Sequence, residues 1–130
     1  MKDIETRADI EVLVNSFYEK IKKDDTLMFF FEGIRKVDWE THLPVMYDFW
    51  ENVLFFTGSY NGNPLALHKH IHRQVPLTRE NFDKWLHVFD YTVDELFQGI
   101  NASLVKRRAA NISTIMQIKI LDRQDFTNQN

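Results

Sequence analysis

Apolar residues recur along this chain at helical spacing. Ile10, Leu13, Val14, Phe17, Tyr18 and Ile21 follow the i, i+3, i+4, i+7 rule and predict an amphipathic helix over about 6–23. Lys20, Lys22 and Lys23 fall at its end, where the helix dipole favours cations. A second set, at 39, 43, 46, 49, 50, 53, 54 and 56, runs up to Gly58, a helix stop. Proline is harmless only in a first turn, so Pro44 predicts a regular start near 41–43 after a looser turn capped by Asp38, giving a helix over about 42–57. Thr78 reads as the N-cap of a third helix, about 79–98, carrying Phe82, Trp85, Leu86, Phe89, Val93, Leu96 and Phe97. A fourth, about 102–121, carries Leu104, Val105, Ala109, Ile112, Ile115, Met116 and Ile120. Between the second and third, YNGNP is a turn, and a short fifth helix follows over about 64–72. The Phe29-Phe30-Phe31 run is too short for a buried helix and too apolar for a free loop, so it is expected to plug or cover a cavity.

With only four Gly, three Pro and no alternating strand pattern in 130 residues, the fold class is all-α. One domain with a core over about 6–121 and a polar tail over 122–130 is expected. Aromatic residues make up 14% of the chain, enough for a dense core or for the walls of a flat apolar ligand site. The formal charge of −3 and a pI near 5.9, with bases scattered among acids, argue against nucleic acid as a partner. Zero cysteines exclude disulfides, thiolate nucleophiles and iron–sulfur clusters, so any metal must be held by nitrogen or oxygen. No stretch approaches the roughly 20 apolar residues of a membrane span, and the N-terminus is polar, which leads to an expectation of a soluble, cytoplasmic monomer with no membrane partner.

The candidate chemistry lies in NPLALHKHIH, where His68, His70 and His72 stand at every second position. On a helix only His68 and His72 share a face, and the chain offers no partner for a strand that would align all three. Three readings stay open on the residues alone. The histidines are solvated; or His68 and His72 hold zinc with His42 or an acid, although Lys69 stands where a glutamate would be needed; or one histidine is the axial ligand of a metal already held in an organic ring. The last would use the aromatic surplus, and a small helical interaction protein whose aromatic residues simply fill the core remains the rival.

FYEKIKKD with Tyr18, LMFFF ending in Phe31, WETHLPVMYDFW with His42 and Trp50, YNGNPLALH with His68, and PLTRENFDKWLHVF with Trp85 occur in an order that resembles a group III truncated haemoglobin. The resemblance runs over about 6–121, and the paired glycines typical of groups I and II are missing. It implies a globin-like, truncated 2-over-2 helical sandwich around haem b (iron protoporphyrin IX), with His68 as proximal iron ligand and Phe31 and Trp50 as cofactor-binding aromatics. His70 and His72 would be bystanders. Tyr18, His42 and Trp85 would form the distal side, His42 at the gate position. A phenol O–H and an indole N–H donate hydrogen bonds, and bound dioxygen carries superoxide-like charge, so such donors slow its release.

What the resemblance implies is binding of O2, CO, NO or peroxide at five-coordinate iron. The role would be in oxygen or nitrogen-oxide chemistry, NO dioxygenation or a peroxidase-like reaction, rather than bulk delivery. Sustained turnover would require an external reductase, because the chain carries no flavin or nicotinamide motif. His68→Ala is expected to abolish the five-coordinate ferrous spectrum, while His70→Ala and His72→Ala leave it intact; loss of iron ligation in His72→Ala instead would shift the register of the proximal helix.

Overall fold

The computed structural model describes residues 1–28, 39–57 and 77–119. Helix α1 (Arg7–Lys22) starts where its sequence provides a reciprocal cap. The Thr6 hydroxyl accepts from the Asp9 amide, and the Asp9 carboxylate accepts from the Thr6 amide at 3.1 Å. That carboxylate also accepts from the Glu5 amide and from Lys2. Desolvation pushes the Asp9 carboxyl up, but Lys2 and the two amides outweigh it and hold it below the usual carboxylate range. A single turn, α2 (Asp25–Met28), follows, capped by the Asp24 carboxylate accepting from the Leu27 amide.

Helix α3 (Trp39–Phe55) corrects the expected start at 42. Pro44 lies inside it, where its missing N–H removes the bond to the Glu40 carbonyl and its ring crowds that carbonyl. The helix nevertheless extends back to Trp39, because Trp39 and Leu43 both pack against the core and this burial offsets the lost bond. Helix α4 (Arg79–Leu96) begins at Thr78 as its sequence predicts, with Asn81 completing the cap. It ends two residues before 98.

Helix α5 (Ile100–Gln117) begins two residues earlier than expected. Its N-terminus is capped from the far end of the chain: Asp3 accepts from the Asn101 amide at 2.9 Å and from the Ala102 amide at 2.8 Å. The Gln98 amide donates to the Lys2 carbonyl, and the Asn101 side chain donates to the Ile4 carbonyl. Gly99, with φ +148°, lets the backbone pass this close, since a Cβ there would stand 2.5 Å from Asp3 Cγ. The short helix expected over 64–72, the Phe29–Phe31 run and the polar tail lie outside the described residues.

Helix α1 lies against both α3 and α4, while α5 lies against both α4 and α3. The result is two helix pairs stacked on one another, with no strand among the described residues. Among the described residues Phe17 and Phe89 are the largest fully buried side chains between them, joined by Ile10, Leu13, Val93 and Val105. Arg7 with Asp48 and Lys20 with Glu95 bridge α1 to its two neighbours at 2.8 and 2.9 Å. Both pairs are solvated, so each contributes under about 1 kcal/mol.

The Asp3 carboxyl is pushed up by desolvation but held lower on balance by the amides of Asn101, Ala102, Ile4 and Ile100. A depressed carboxyl stabilises the fold above its unfolded-state value and ceases to as the pH falls through its folded-state value. Asp3→Ala is therefore expected to cost ~1 kcal/mol at neutral pH, the worth of a helix cap, with the deficit shrinking in acid. Gly99→Ala should cost about 1–3 kcal/mol at any pH. Denaturant titrations at pH 7 and below pH 4 check both.

Candidate functional site

Tyr18 occupies the buried face of α1, one turn after Val14, and is 6% exposed. The i, i+4 spacing sets Lys22 on the same side of the helix. Opposite stands the start of α3, where Trp39 and His42 share a face at i, i+3. The His42 Nε2 lies 3.4 Å from the Tyr18 hydroxyl, and the two rings meet edge to face with centroids 5.3 Å apart. Burial pushes the Tyr18 phenol far above its ordinary range, so it stays an O–H donor at any physiological pH.

Trp85 comes from α4 and is half-buried. Its ring stacks on Phe89 and meets the edge of Phe17, the neighbour of Tyr18, at 5.7 Å in each case. Phe17 also meets the edge of Tyr18 at 5.0 Å, so one phenyl links the tyrosine to the tryptophan. Trp50, from the far half of α3, is 4% exposed and stacks on Phe89 at 4.8 Å. Thus the structure brings Tyr18 and His42 into direct contact and joins Trp85 and Trp50 to them through Phe17 and Phe89. Phe31 and His68, with His70 and His72, lie outside the described residues. His87, two positions from Trp85, is exposed.

One participant went unread in the sequence. Trp39 counted there only as an apolar position, yet its ring centroid is 5.3 Å from that of Tyr18 and 5.6 Å from that of His42. The i, i+3 relation of Trp39 to His42 in WETH was the available signal. Among the described residues no group of three or more His, Cys, Asp or Glu side chains could hold a metal ion by itself. No helix there is long and apolar enough to cross a membrane.

Stacked helix pairs that cross over an aromatic cluster, with a buried phenol against an imidazole at its edge, are the arrangement of a globin-type site. The bacterial-like globin family model matches residues 2–119. A group 3 truncated haemoglobin of Campylobacter jejuni is 30% identical over 114 residues, covering 85% of this chain and 87% of that protein. The crystal structure of a group III truncated haemoglobin from Campylobacter jejuni superposes with a TM-score of 0.82 at 28% identity, covering 92% of this chain and 95% of that one. The chain belongs to the bacterial-like globin family and is a group III truncated haemoglobin with the truncated globin fold.

It is therefore a haem-binding globin, and small gaseous ligands such as O2 follow from the family. The described residues fit such a group. Trp39 and Trp85, both half-buried, offer flat apolar surface, and the polar groups beside them are a protonated phenol, an imidazole and an indole, all capable of facing a small polar ligand.

A phenol pushed up in the folded state binds its proton more tightly than in the unfolded chain. Its contribution is complete below the unfolded value of ~10 and is lost as the pH rises beyond it. Unfolding free energy should fall with a steeper slope above that pH in the native protein than in Tyr18→Phe, which denaturant titrations across the alkaline range read directly.

Proposed function

We propose that this globin is a haem b protein in which His68 is the fifth iron ligand and Phe31 and Trp50 flank the cofactor. Tyr18, His42 and Trp85 form the distal face toward O2, NO, CO or peroxide. The proposed role is oxygen or nitrogen-oxide chemistry rather than bulk oxygen delivery. The contact of the buried Tyr18 phenol with His42 is the observation that carries this reading. Haem, when bound, supplies the redox-active iron and an open coordination position.

The chain's own contribution is electrostatic. In an aromatic surround of low dielectric, an O–H donor that cannot ionise is pre-set to meet a ligand that gains negative charge. The phenol has one proton to give, so the His42 tautomer governs it: a bare Nε2 accepts the O–H and competes with the ligand, whereas a protonated Nε2 donates to the phenol oxygen and leaves the O–H free for the ligand. Among the described residues Phe17, Trp39 and His42 pack against the Tyr18 ring and limit its movement. Such a pocket suits retention of O2 until a second reactant arrives. For peroxide, His42 or Tyr18 is the candidate acid–base group. Repeated turnover would draw electrons from a separate reductase. The zinc and non-haem interaction readings of the histidines are not favoured by membership in a haem-binding family.

A hydrogen bond to a charged acceptor contributes ~1.5–3 kcal/mol, so Tyr18→Phe should speed O2 release by roughly ten- to a hundredfold and CO release much less. Stopped-flow ligand replacement measures both. Mixing the oxygenated protein with NO in the presence of a reductant is expected to yield nitrate over many turnovers; nitrate in only stoichiometric amount would remove NO dioxygenation as the catalytic role.

A further inference from the structure

We propose that Trp39, held beneath the Lys22 ammonium, is a positioning residue that keeps His42 against Tyr18, so that the Lys22–Trp39 contact sets how readily a ligand passes His42. This rests on the haem-pocket reading above and adds to it Lys22 and Trp39, which lie within FYEKIKKD and WETHLPVMYDFW but carry no role in that reading.

The geometry is a two-by-two cluster. Tyr18 and Lys22 are one turn apart on α1, and Trp39 and His42 are one turn apart on α3. The indole lies between the other three: Lys22 Nζ is 4.7 Å from its ring centroid, and the Tyr18 and His42 rings stand at 5.3 and 5.6 Å, inclined at 59° and 76°. Each of these contacts is attractive for its own reason. A cation over an indole is drawn by the ring's negative face, and inclined aromatic rings set positive edges against that same kind of face.

A swing of the imidazole away from Tyr18 therefore gives up two ring contacts and the 3.4 Å approach to the hydroxyl. Trp39 resists that swing only while it is itself immobile. It is the first residue of α3, at a helix end that tends to fray, and Pro44 has already removed one bond from the following turn. Lys22 stands in the last turn of α1 with a side chain 30% exposed and a second, longer contact to Glu19 at 3.4 Å. Its ammonium ties the first turn of α3 to α1. The charge of Lys22 is thereby relayed to His42 through packing, with no direct contact required.

The test compares Lys22→Met, Lys22→Arg and Trp39→Leu in the haem-loaded protein. CO association is read after flash photolysis, and the His42 ring-proton signals are read by NMR in the diamagnetic CO form. Lys22→Met should accelerate CO association about three- to tenfold and move the His42 signals toward those of an imidazole free of neighbouring rings, with Trp39→Leu doing the same or more. Lys22→Arg should restore both, because a guanidinium keeps a cation over the indole. Unchanged association and unchanged His42 signals in Lys22→Met overturn the proposal, as does an acceleration in Lys22→Arg equal to that in Lys22→Met. Lys22 is partly exposed, so its variants keep the proposal testable if Trp39→Leu fails to fold. If the chain takes up no haem and shows no Soret band, the pocket reading fails, and ligand entry past His42 fails with it; unchanged His42 signals in a chain with a normal Soret band overturn the Lys22–Trp39 inference alone.

Discussion

Phe89 is fully buried where three helices meet, and the pocket's geometry depends on its ring. Trp50 from α3 covers one part of it at 4.8 Å, Trp85 one turn earlier on α4 stacks alongside, and Phe17 from α1 points an edge into it. Stacked and edge-to-face contacts contribute ~0.5–1.5 kcal/mol each beyond their buried area, and unlike aliphatic contacts they fix ring orientation. Because Phe17 is the chain neighbour of Tyr18, fixing Phe17 also fixes where the phenol emerges from α1. Because Trp50 lies on the same helix as His42, the same ring sets how far α3 sits from α1. The distance between the two polar groups is thus decided some way beneath them.

That arrangement separates two duties. The lower aromatic layer, Phe17, Phe89 and Trp50, is buried and serves the helix crossing. The upper layer, Tyr18, Trp39 and His42, rests on it and presents the polar atoms. Trp85 spans both, with its stacked face in the lower layer and a half-buried ring above. Polar tuning of the pocket can vary in the upper layer without loosening the crossing of α1 on α4.

The helices were largely legible because their signals are local. Thr78 and the periodic residues after it specify α4 within a few positions, and Ile10 through Ile21 do the same for α1. Pro44 misled because its cost is local while its compensation, burial of Trp39 and Leu43, is tertiary. The early start of α5 was hidden for the same reason: its cap, Asp3, lies 98 residues from Asn101. Of the pocket, Tyr18 and His42 were readable through motif order, and they do come together. Trp39 was not, since its i, i+3 relation to His42 in WETH marks a shared helix face without distinguishing a pocket wall from plain packing. His68 and Phe31 fall outside the described residues, so only their sequence speaks for them.

The Asp3 cap also ties together events separated in time. On the ribosome the carboxylate emerges before α1, and the amides it serves emerge only after α1, α3 and α4 have been made. Until then the first residues have no helix end to bind, and α5 has no finished N-terminus of its own. Closing so long a loop is entropically slow, so this contact forms late and couples the two ends of the described fold. Fraying at either end therefore removes hydrogen-bond partners from the other.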